Sequence, residues 1–277
     1  MTSATHTVTR AATGPWAERL TRLGLAARGV LYIVLGILAL RIAFGARGEQ
    51  ANQNGALQEV AEQPFGRVLI WVVAVGLVAY ALWRLATAAL GTRADPSAQK
   101  ASARVKALLE GLGYGTVAFA AVRIAASGGG SGGSGGSGGQ SAQGFTAKVL
   151  AWPAGPLLVG LVGALIAGAG LYLVVEGWRA DFTKELALGR VGPTTRKIAI
   201  QLGRVGRIAR GAAFALIGGL VLAAAITYDP AKAKGLDGAL KTLAAQPYGT
   251  WLLVLVALGL VAYGLYGLLE SRLRRVG

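Results

Sequence analysis

The sequence contains no cysteine and a single histidine, His6, and only 14% of its 277 residues are charged. Without cysteine the chain has no disulfide, no thiolate metal ligand and no thiol nucleophile. One histidine also removes most histidine-based acid–base schemes. We therefore expect a protein that is not an enzyme and that has no cofactor or metal.

Apolar residues, in contrast, are abundant. They make up 54% of the chain, and the mean hydropathy is +0.54, whereas soluble domains are typically about 45–50% apolar and about 25% charged. The 43 glycines lie largely within the apolar runs, as is common in membrane helices. This composition predicts an integral membrane protein.

Six segments are long and apolar enough to span a bilayer, because about 20 residues at ~1.5 Å each cross a hydrocarbon core of ~30 Å. Three of them are free of charge. The others contain or adjoin ionisable residues, which can reach the interface when they lie near a helix end. The segments are 25–44, 68–90, 108–126, 150–175, 211–228 and 251–269.

An internal repeat supports this count. The first helix of each unit has a glycine preceded by an ionisable residue and followed three residues later by an aromatic one. These positions are Arg28, Gly29 and Tyr32; Glu110, Gly111 and Tyr114; and Arg210, Gly211 and Phe214. The second helix of each unit follows the motif QPFG, WPAG or QPYG, whose proline suits the first turn of a helix. The motif residues are Gln63, Pro64 and Gly66; Pro153 and Gly155; and Gln246, Pro247 and Gly249.

The repeat predicts an all-α membrane protein with six transmembrane helices, built as three repeated helical hairpins in a pseudo-threefold arrangement. An N-terminal tail (1–24) precedes repeat 1 (25–91), repeat 2 (104–179) and repeat 3 (204–275). Short interfacial helices are expected near Asn54 and Asp237, ahead of the QP motifs. Repeat 2 instead has a Gly/Ser tract at 127–139, predicted to be a solvated loop. Its G-x-S-x-G strings arise from low complexity.

The distribution of basic residues predicts the orientation. Of the 28 Lys and Arg residues, 18 lie in the termini and the loops on their side, six lie in the opposite loops and four lie in or beside spans. By the positive-inside rule, both termini should be cytoplasmic in a plasma (inner) membrane protein. Because the basic residues flank spans, nucleic-acid binding is not expected.

Several of these features together resemble a known family. They are the triplicated hairpin, the QPFG and QPYG starts, the stretch 235–240 and the ending Tyr263-Gly264-Leu265-Tyr266 with Glu270. They closely resemble the bacterial integral membrane proteins grouped as "domain of unknown function 1206". The resemblance covers nearly the whole chain, although WPAG and the Gly/Ser tract depart from the pattern. It implies six spans and three repeats, and it supplies no activity.

Ionisable residues at the predicted cytoplasmic ends of the spans form the main candidate site. In the pseudo-threefold arrangement they can form a ring in which Glu176 and Glu270 pair with Arg28 and Arg210. A static clamp and a gate or proton-coupled pair are both compatible with this pattern. The ring positions are Arg28, Glu110 and Arg210 on the first helices and Thr87, Glu176 and Glu270 on the second.

A second candidate lies at the opposite end, where Arg41 and Arg123 share a repeat position that is Ala223 in the third unit. Two arginines facing one cavity would bind an anion. Contact with lipid headgroups or capping of their own helix ends is the alternative.

Two functions are compatible with the sequence. The first is a small channel or carrier for ions or small anions between the hairpins. The second is a non-transporting scaffold or accessory protein that binds a protein partner or anionic lipid through basic loops such as 196–210. A continuous polar cavity would favour the first, and a dry packed interior the second.

Overall fold

A computed structural model describes residues 15–45, 51–62, 66–90, 101–126, 138–186, 189 and 191–273. These residues form helices joined by turns. The helices are α1 (Pro15–Ala43), α2 (Gln53–Glu62), α3 (Gly66–Leu90), α4 (Ala101–Ala126), α5 (Gly138–Leu150), α6 (Gly155–Arg179), α7 (Pro193–Thr227), α8 (Leu236–Ala244) and α9 (Gly249–Leu273), with 3₁₀ turns at Asp181–Glu185 and Pro230–Lys232.

The order long, short, long occurs three times along the chain. The long helices α1, α3, α4, α6, α7 and α9 are each long and apolar enough to cross a membrane. The short helices α2, α5 and α8 join the two long helices of each unit. This confirms the predicted all-α fold of three repeated hairpins, and it indicates a multi-pass membrane protein.

The six long helices pack in the spatial order α4, α3, α1, α9, α7, α6. The most extensive interfaces join different repeats: α6 with α7, α9 with α1, and α3 with α4. Within repeats, α1 packs on α3 and α7 packs on α9, but α4 and α6 make almost no contact. The arrangement of the six long helices is therefore open on one side, between the two long helices of repeat 2.

Glycines allow the helices of neighbouring repeats to approach closely. A Cβ atom on Gly211 of α7 would lie 2.6 Å from the carbonyl oxygen of Gly170 on α6, and one on Gly218 would overlap the backbone of Ala167. At the α1–α9 interface, a Cβ on Gly29 would lie 2.8 Å from the carbonyl oxygen of Gly264. Such backbone contact supplies dispersion energy, which matters in a membrane because lipid surrounds apolar side chains and no hydrophobic effect drives helices together.

The proline motif forms a turn before the helix, not the predicted first helical turn. The amide of Gly249 donates to the carbonyl of Gln246 at 2.7 Å, which closes a four-residue turn with Pro247 at its second position, where proline is favoured. Gln63 and Pro64 lie outside the described residues. The fourth position of the motif requires glycine. A Cβ on Gly66, Gly155 or Gly249 would overlap the last carbonyl groups of the preceding short helix.

The Gly/Ser tract was predicted to be a loop, but helix α5 begins within it, at Gly138. Residues 127–137 lie outside the described part. Helix α5 corresponds to α2 and α8, so all three repeats have a short helix. The signal in the sequence is a glycine eight residues before the first residue of the motif, at Gly55, Gly144 and Gly238.

The centre of the bundle is filled by aliphatic side chains. The fully buried residues include Leu35, Leu77, Leu253 and Ala257, which lie on α1, α3 and α9 within one continuous cluster. This apolar packing separates the charged end of the bundle from the end that carries the short helices.

Candidate functional site

Ion pairs join all three interfaces between repeats. Each pair links the first long helix of one repeat to the second long helix of another, and each lies toward the end of the bundle opposite to the short helices. The pairs are Arg28 of α1 with Glu270 of α9, Arg84 of α3 with Glu110 of α4, and Arg207 of α7 with Glu176 of α6.

Arg28 is the most enclosed of these cations, with 3% of its surface exposed. Its Nη2 donates to Glu270 Oε2 at 2.6 Å, and its Nη1 donates to the hydroxyl of Tyr80 at 2.7 Å. One guanidinium therefore connects α1 to both of its neighbours, α9 and α3. Charge-assisted bonds of this kind are stronger than neutral ones.

The pair in the second interface has the opposite polarity. Glu110 occupies the repeat position held by arginine in the other two units, and its partner is Arg84 on α3. The hydroxyl of Tyr80 lies between the two pairs, because it also accepts from Arg84 Nε at 3.2 Å. Thr87, the equivalent of Glu176 and Glu270, donates to the carbonyl of Trp83 on its own helix.

The third pair differs from the sequence expectation. Glu176 lies 3.0 Å from Arg207, one turn before Arg210, which was the predicted partner. The basic stretch 196–210, expected on the membrane surface, is part of the continuous helix α7, with Arg196 and Lys197 exposed near its start. Gly206 lies against Tyr263 of α9, so the helix is packed within the bundle at this level.

Arg210 has a different environment from the other three arginines. Its Nη1 donates to the hydroxyl of Tyr263 at 2.6 Å, and its guanidinium carbon lies 5.1–5.6 Å from the ring centres of Tyr263, Phe214 and Tyr32. Among the described residues no carboxylate pairs with it. Its buried Nε, like those of Arg28 and Arg207, has no hydrogen-bond partner. Cation–π contacts stabilise this charge without neutralising it.

Tyrosines link these arginines across the centre of the bundle. Tyr32 of α1 packs edge-on against Tyr263 of α9, and Tyr80 of α3 packs edge-on against Tyr114 of α4, both at 4.8 Å between ring centres. The hydroxyl of Tyr114 donates to that of Tyr32 at 3.4 Å. The rings therefore bring α1, α3, α4 and α9 together around Arg28 and Arg210.

We call these charged residues the arginine layer. Four arginines are associated with three glutamates, which gives the layer one surplus positive charge, and Arg210 is the arginine without a carboxylate. The layer consists of Arg28, Arg84, Arg207 and Arg210 with Glu110, Glu176 and Glu270. Surplus charge at this depth is costly unless an anion or water accompanies it.

The other predicted arginines lie at the opposite end. Arg41 lies 3.5 Å from Glu59 of the short helix α2, and 48% of its side chain is exposed. Arg123 is exposed near the end of α4, and no pairing between it and Arg41 occurs in the described structure. The shared anion site that was predicted for these two residues stays a prediction.

Sequence reasoning did not identify the roles of Arg84, Arg207 and the two tyrosine acceptors. A lone arginine inside a span, such as Arg84, generally needs a partner, and this was the available signal for it. Tyr80 and Tyr263 share the repeated sequence Gly-Leu-Val-Ala-Tyr. Repeats 1 and 3 both have an arginine on the first long helix and this tyrosine on the second. That shared pair was the signal for the Arg–Tyr bonds.

The arrangement can hold helices together and can attract an anion. Over the described ranges, no group of three acidic or histidine side chains could hold a metal ion. The tyrosine hydroxyls and guanidinium groups are hydrogen-bond donors that suit an oxyanion such as phosphate.

Three segments, 23–91, 105–180 and 205–274, match the family described as Domain of Unknown Function (DUF1206). An uncharacterized protein of Bacillus subtilis (strain 168), YxxB, is 35% identical over 260 residues, which cover 94% of this chain and 92% of that protein. No solved structure matches. The chain therefore belongs to the DUF1206 family and carries three copies of its repeat.

Proposed function

We propose that this chain is a non-conducting membrane protein that binds anionic lipid at the end carrying the arginine layer. The observation that carries this proposal is the combination of a surplus charge on the partly buried Arg210 with a dry core beyond it. The surplus positive charge needs an anion, and the aliphatic core offers that anion no described route across the bilayer.

The dry core supports the non-conducting part. Leu35, Leu77, Leu253 and Ala257 are fully buried between the arginine layer and the short helices. A carrier or channel usually has polar side chains near the membrane centre, because an ion loses its hydration there. The aliphatic packing found here suits a structural or accessory role better.

Charge supports the lipid-binding part. Basic pockets between helices and basic loops beside a membrane both attract anionic headgroups. Arg196 and Lys197 are exposed at the start of α7, and they lie at the same end as Arg210. Surface and interior cations at one end would therefore act on the same leaflet.

The membrane and the orientation are also part of the proposal. The excess of Lys and Arg in the loops on the side of both termini supports cytoplasmic termini in the inner membrane of a bacterium. Fusions of a cytoplasm-active and a periplasm-active reporter to the C-terminus test this. Activity of the periplasmic reporter alone would reverse the orientation and would assign the arginine layer to the other leaflet.

A channel or carrier for ions or small anions is the second candidate. Two observations favour it: Arg210 is partly exposed although three aromatic rings surround it, and the helices α4 and α6 leave the bundle open between them. A conformational change that parts the aliphatic core would be required.

A reconstitution experiment separates the two candidates. Liposomes of phosphatidylcholine with or without phosphatidylglycerol are loaded with the purified chain and assayed for K⁺, Cl⁻ and phosphate flux. We expect flux equal to that of empty liposomes, together with a higher unfolding temperature in phosphatidylglycerol. Saturable flux that Arg210→Gln reduces would contradict the proposal and support a carrier.

A further inference from the structure

The opening between α4 and α6 follows from differences between the repeats. In repeats 1 and 3 the two long helices of the hairpin pack directly on each other. In repeat 2 they make almost no contact. We call the space between α4 and α6 the seam. If the sequence of repeat 2 did not favour the seam, repeat 2 would retain the residues that close the other two hairpins.

Small residues close those two hairpins. In repeat 1, a Cβ on Gly24 would lie 2.7 Å from Tyr80 Cβ, and one on Gly76 would lie 2.6 Å from Ala27 Cβ. In repeat 3, Gly206 lies equally close to Tyr263, and Gly259 lies against Ala209. Repeat 2 has larger residues at these positions. Lys106 replaces the glycine of the first long helix, Leu109 replaces the alanine of that helix, and Leu165 replaces the glycine of the second long helix.

A hydrogen bond also closes those hairpins. Arg28 donates to Tyr80 in repeat 1, and Arg210 donates to Tyr263 in repeat 3, at equivalent positions. Repeat 2 has Glu110 and Ala169 in these positions, so it has neither the donor nor the acceptor. All five closing positions have therefore changed together in the one hairpin that is open.

The seam has bulky apolar walls. Leu109 on α4 is 65% exposed and Leu165 on α6 is 64% exposed, at the register that faces inward in the closed hairpins. Transmembrane helices associate through small residues that let their backbones approach, whereas these positions carry leucine in place of glycine and alanine. Leucine at these positions keeps the two backbones apart, which leaves room for acyl chains between the helices.

Arg210 supplies the polar end of this site. Its guanidinium carbon lies 5.6 Å from the ring centre of Tyr32, whose hydroxyl accepts from Tyr114 of α4 at 3.4 Å. Glu110, also on α4, is already paired with Arg84. At ~1.5 Å per residue, Arg210 is about 25 Å from the end of α7 at Thr227. With Thr227 at one boundary of a hydrocarbon core ~30 Å thick, Arg210 lies inside the opposite boundary, within about one helical turn of the lipid phosphates.

We propose that the seam holds one anionic phospholipid, with its phosphate on Arg210 and its chains between α4 and α6. The site takes a phosphate group because a guanidinium offers several donors in one plane, and Arg210 is the arginine of the layer that no described carboxylate pairs with. This inference rests on the proposed function for its choice of anion, and it assigns that function to one site.

Native mass spectrometry of the chain released from nanodiscs tests the proposal. The nanodiscs contain phosphatidylcholine with a minor fraction of phosphatidylglycerol, so that a retained phosphatidylglycerol marks a selective site. We expect the wild-type chain to retain one. Arg210→Gln should reduce the retained fraction by about tenfold or more, because a charge-assisted phosphate contact is lost. Lys232→Gln, an exposed cation at the opposite end, is the control and should not change it.

A second variant tests the seam itself and leaves Arg210 in place. Lys106→Gly, Leu109→Ala, Leu165→Gly and Ala169→Tyr together restore four of the five closing residues of the other hairpins and leave Glu110 to pair with Arg84. Spin labels at two introduced cysteines, on otherwise cysteine-free chains, measure whether α4 and α6 approach. We expect closure with loss of the retained lipid. Retention by both Arg210→Gln and the closed variant would overturn the proposal.

Two further results separate this proposal from the proposed function. If free phosphate at millimolar concentration stabilises the chain in pure phosphatidylcholine through Arg210, and closing the seam has no effect, the ligand is not a lipid and the inference fails. If the chain is more stable in phosphatidylglycerol but retains no single molecule of it, the inference fails while the proposed function stands. Flux across liposomes would contradict the proposed function alone.

Discussion

Arg28 and Glu270 join the first and last membrane helices through a 2.6 Å ion pair, although 242 residues separate them in the chain. Both side chains are almost completely buried. The pair lies where α9 of the third repeat meets α1 of the first, so it completes the contact between the two ends of the sequence. Loss of the pair would therefore weaken the interface between α1 and α9.

Replacing Glu270 by glutamine should destabilise the chain by about 3–5 kcal/mol, because Arg28 would keep its buried charge and lose its carboxylate. The free energy of unfolding can be measured by titrating detergent-solubilised protein with SDS and following its helical circular dichroism. Glu59→Gln is the matched control. Its pair with Arg41 is half exposed, and such pairs contribute about 0–1 kcal/mol. Equal losses in the two variants would show that the Arg28 pair is not special.

The reversed pair between Arg84 and Glu110 allows a charge-swap test. Arg84→Glu and Glu110→Arg each place two like charges together and should each cost about 3 kcal/mol or more. The double variant restores opposite charges and should recover at least half of that loss, as a double-mutant cycle measures. Additive losses would indicate that the two side chains act independently, against the contact seen between α3 and α4.

The sequence predicted the architecture well because its signals are long. Six apolar segments and three copies of one glycine register extend over tens of residues, so a local ambiguity in one copy is resolved by the others. Segment 108–126, which contains Arg123, could be identified as a span only because the third copy of that segment is uninterrupted. The structure has this span as α4.

The pairing of charges could not be predicted in the same way. Arg207 and Arg210 are three residues apart on one helix, so both lie on nearly the same face, and the sequence does not indicate which of them meets Glu176. The choice depends on the rotation and depth of α7 against α6. Close contacts such as that between Gly211 and Gly170 set this geometry.

Tyr263→Phe removes the hydroxyl that accepts from Arg210 at 2.6 Å. A buried donor left without its acceptor costs about 1–3 kcal/mol, and we expect a loss of that size in the same SDS titration. Tyr248→Phe is the control, since Tyr248 is exposed in the turn before α9 and should change stability by about 0.5 kcal/mol or less. No difference between the two variants would mean that the hydroxyl of Tyr263 does not stabilise the arginine.

Adjacent glycines on α7 provide the sharpest test of helix packing. A Cβ on Gly218 would overlap the backbone of Ala167 on α6, whereas a Cβ on Gly219 would meet nothing within 4 Å. Gly218→Ala must therefore push α6 and α7 apart, and overpacking of this kind typically costs about 1–3 kcal/mol. Gly219→Ala adds the same methyl group one residue later and, with alanine's higher helix propensity, should be neutral or slightly stabilising. The unfolding free energies of the two variants, measured side by side in SDS, should differ in this direction. Equal values would mean that α6 and α7 do not pack through their backbones at this level, and the contact between repeats 2 and 3 would then rest on side chains alone.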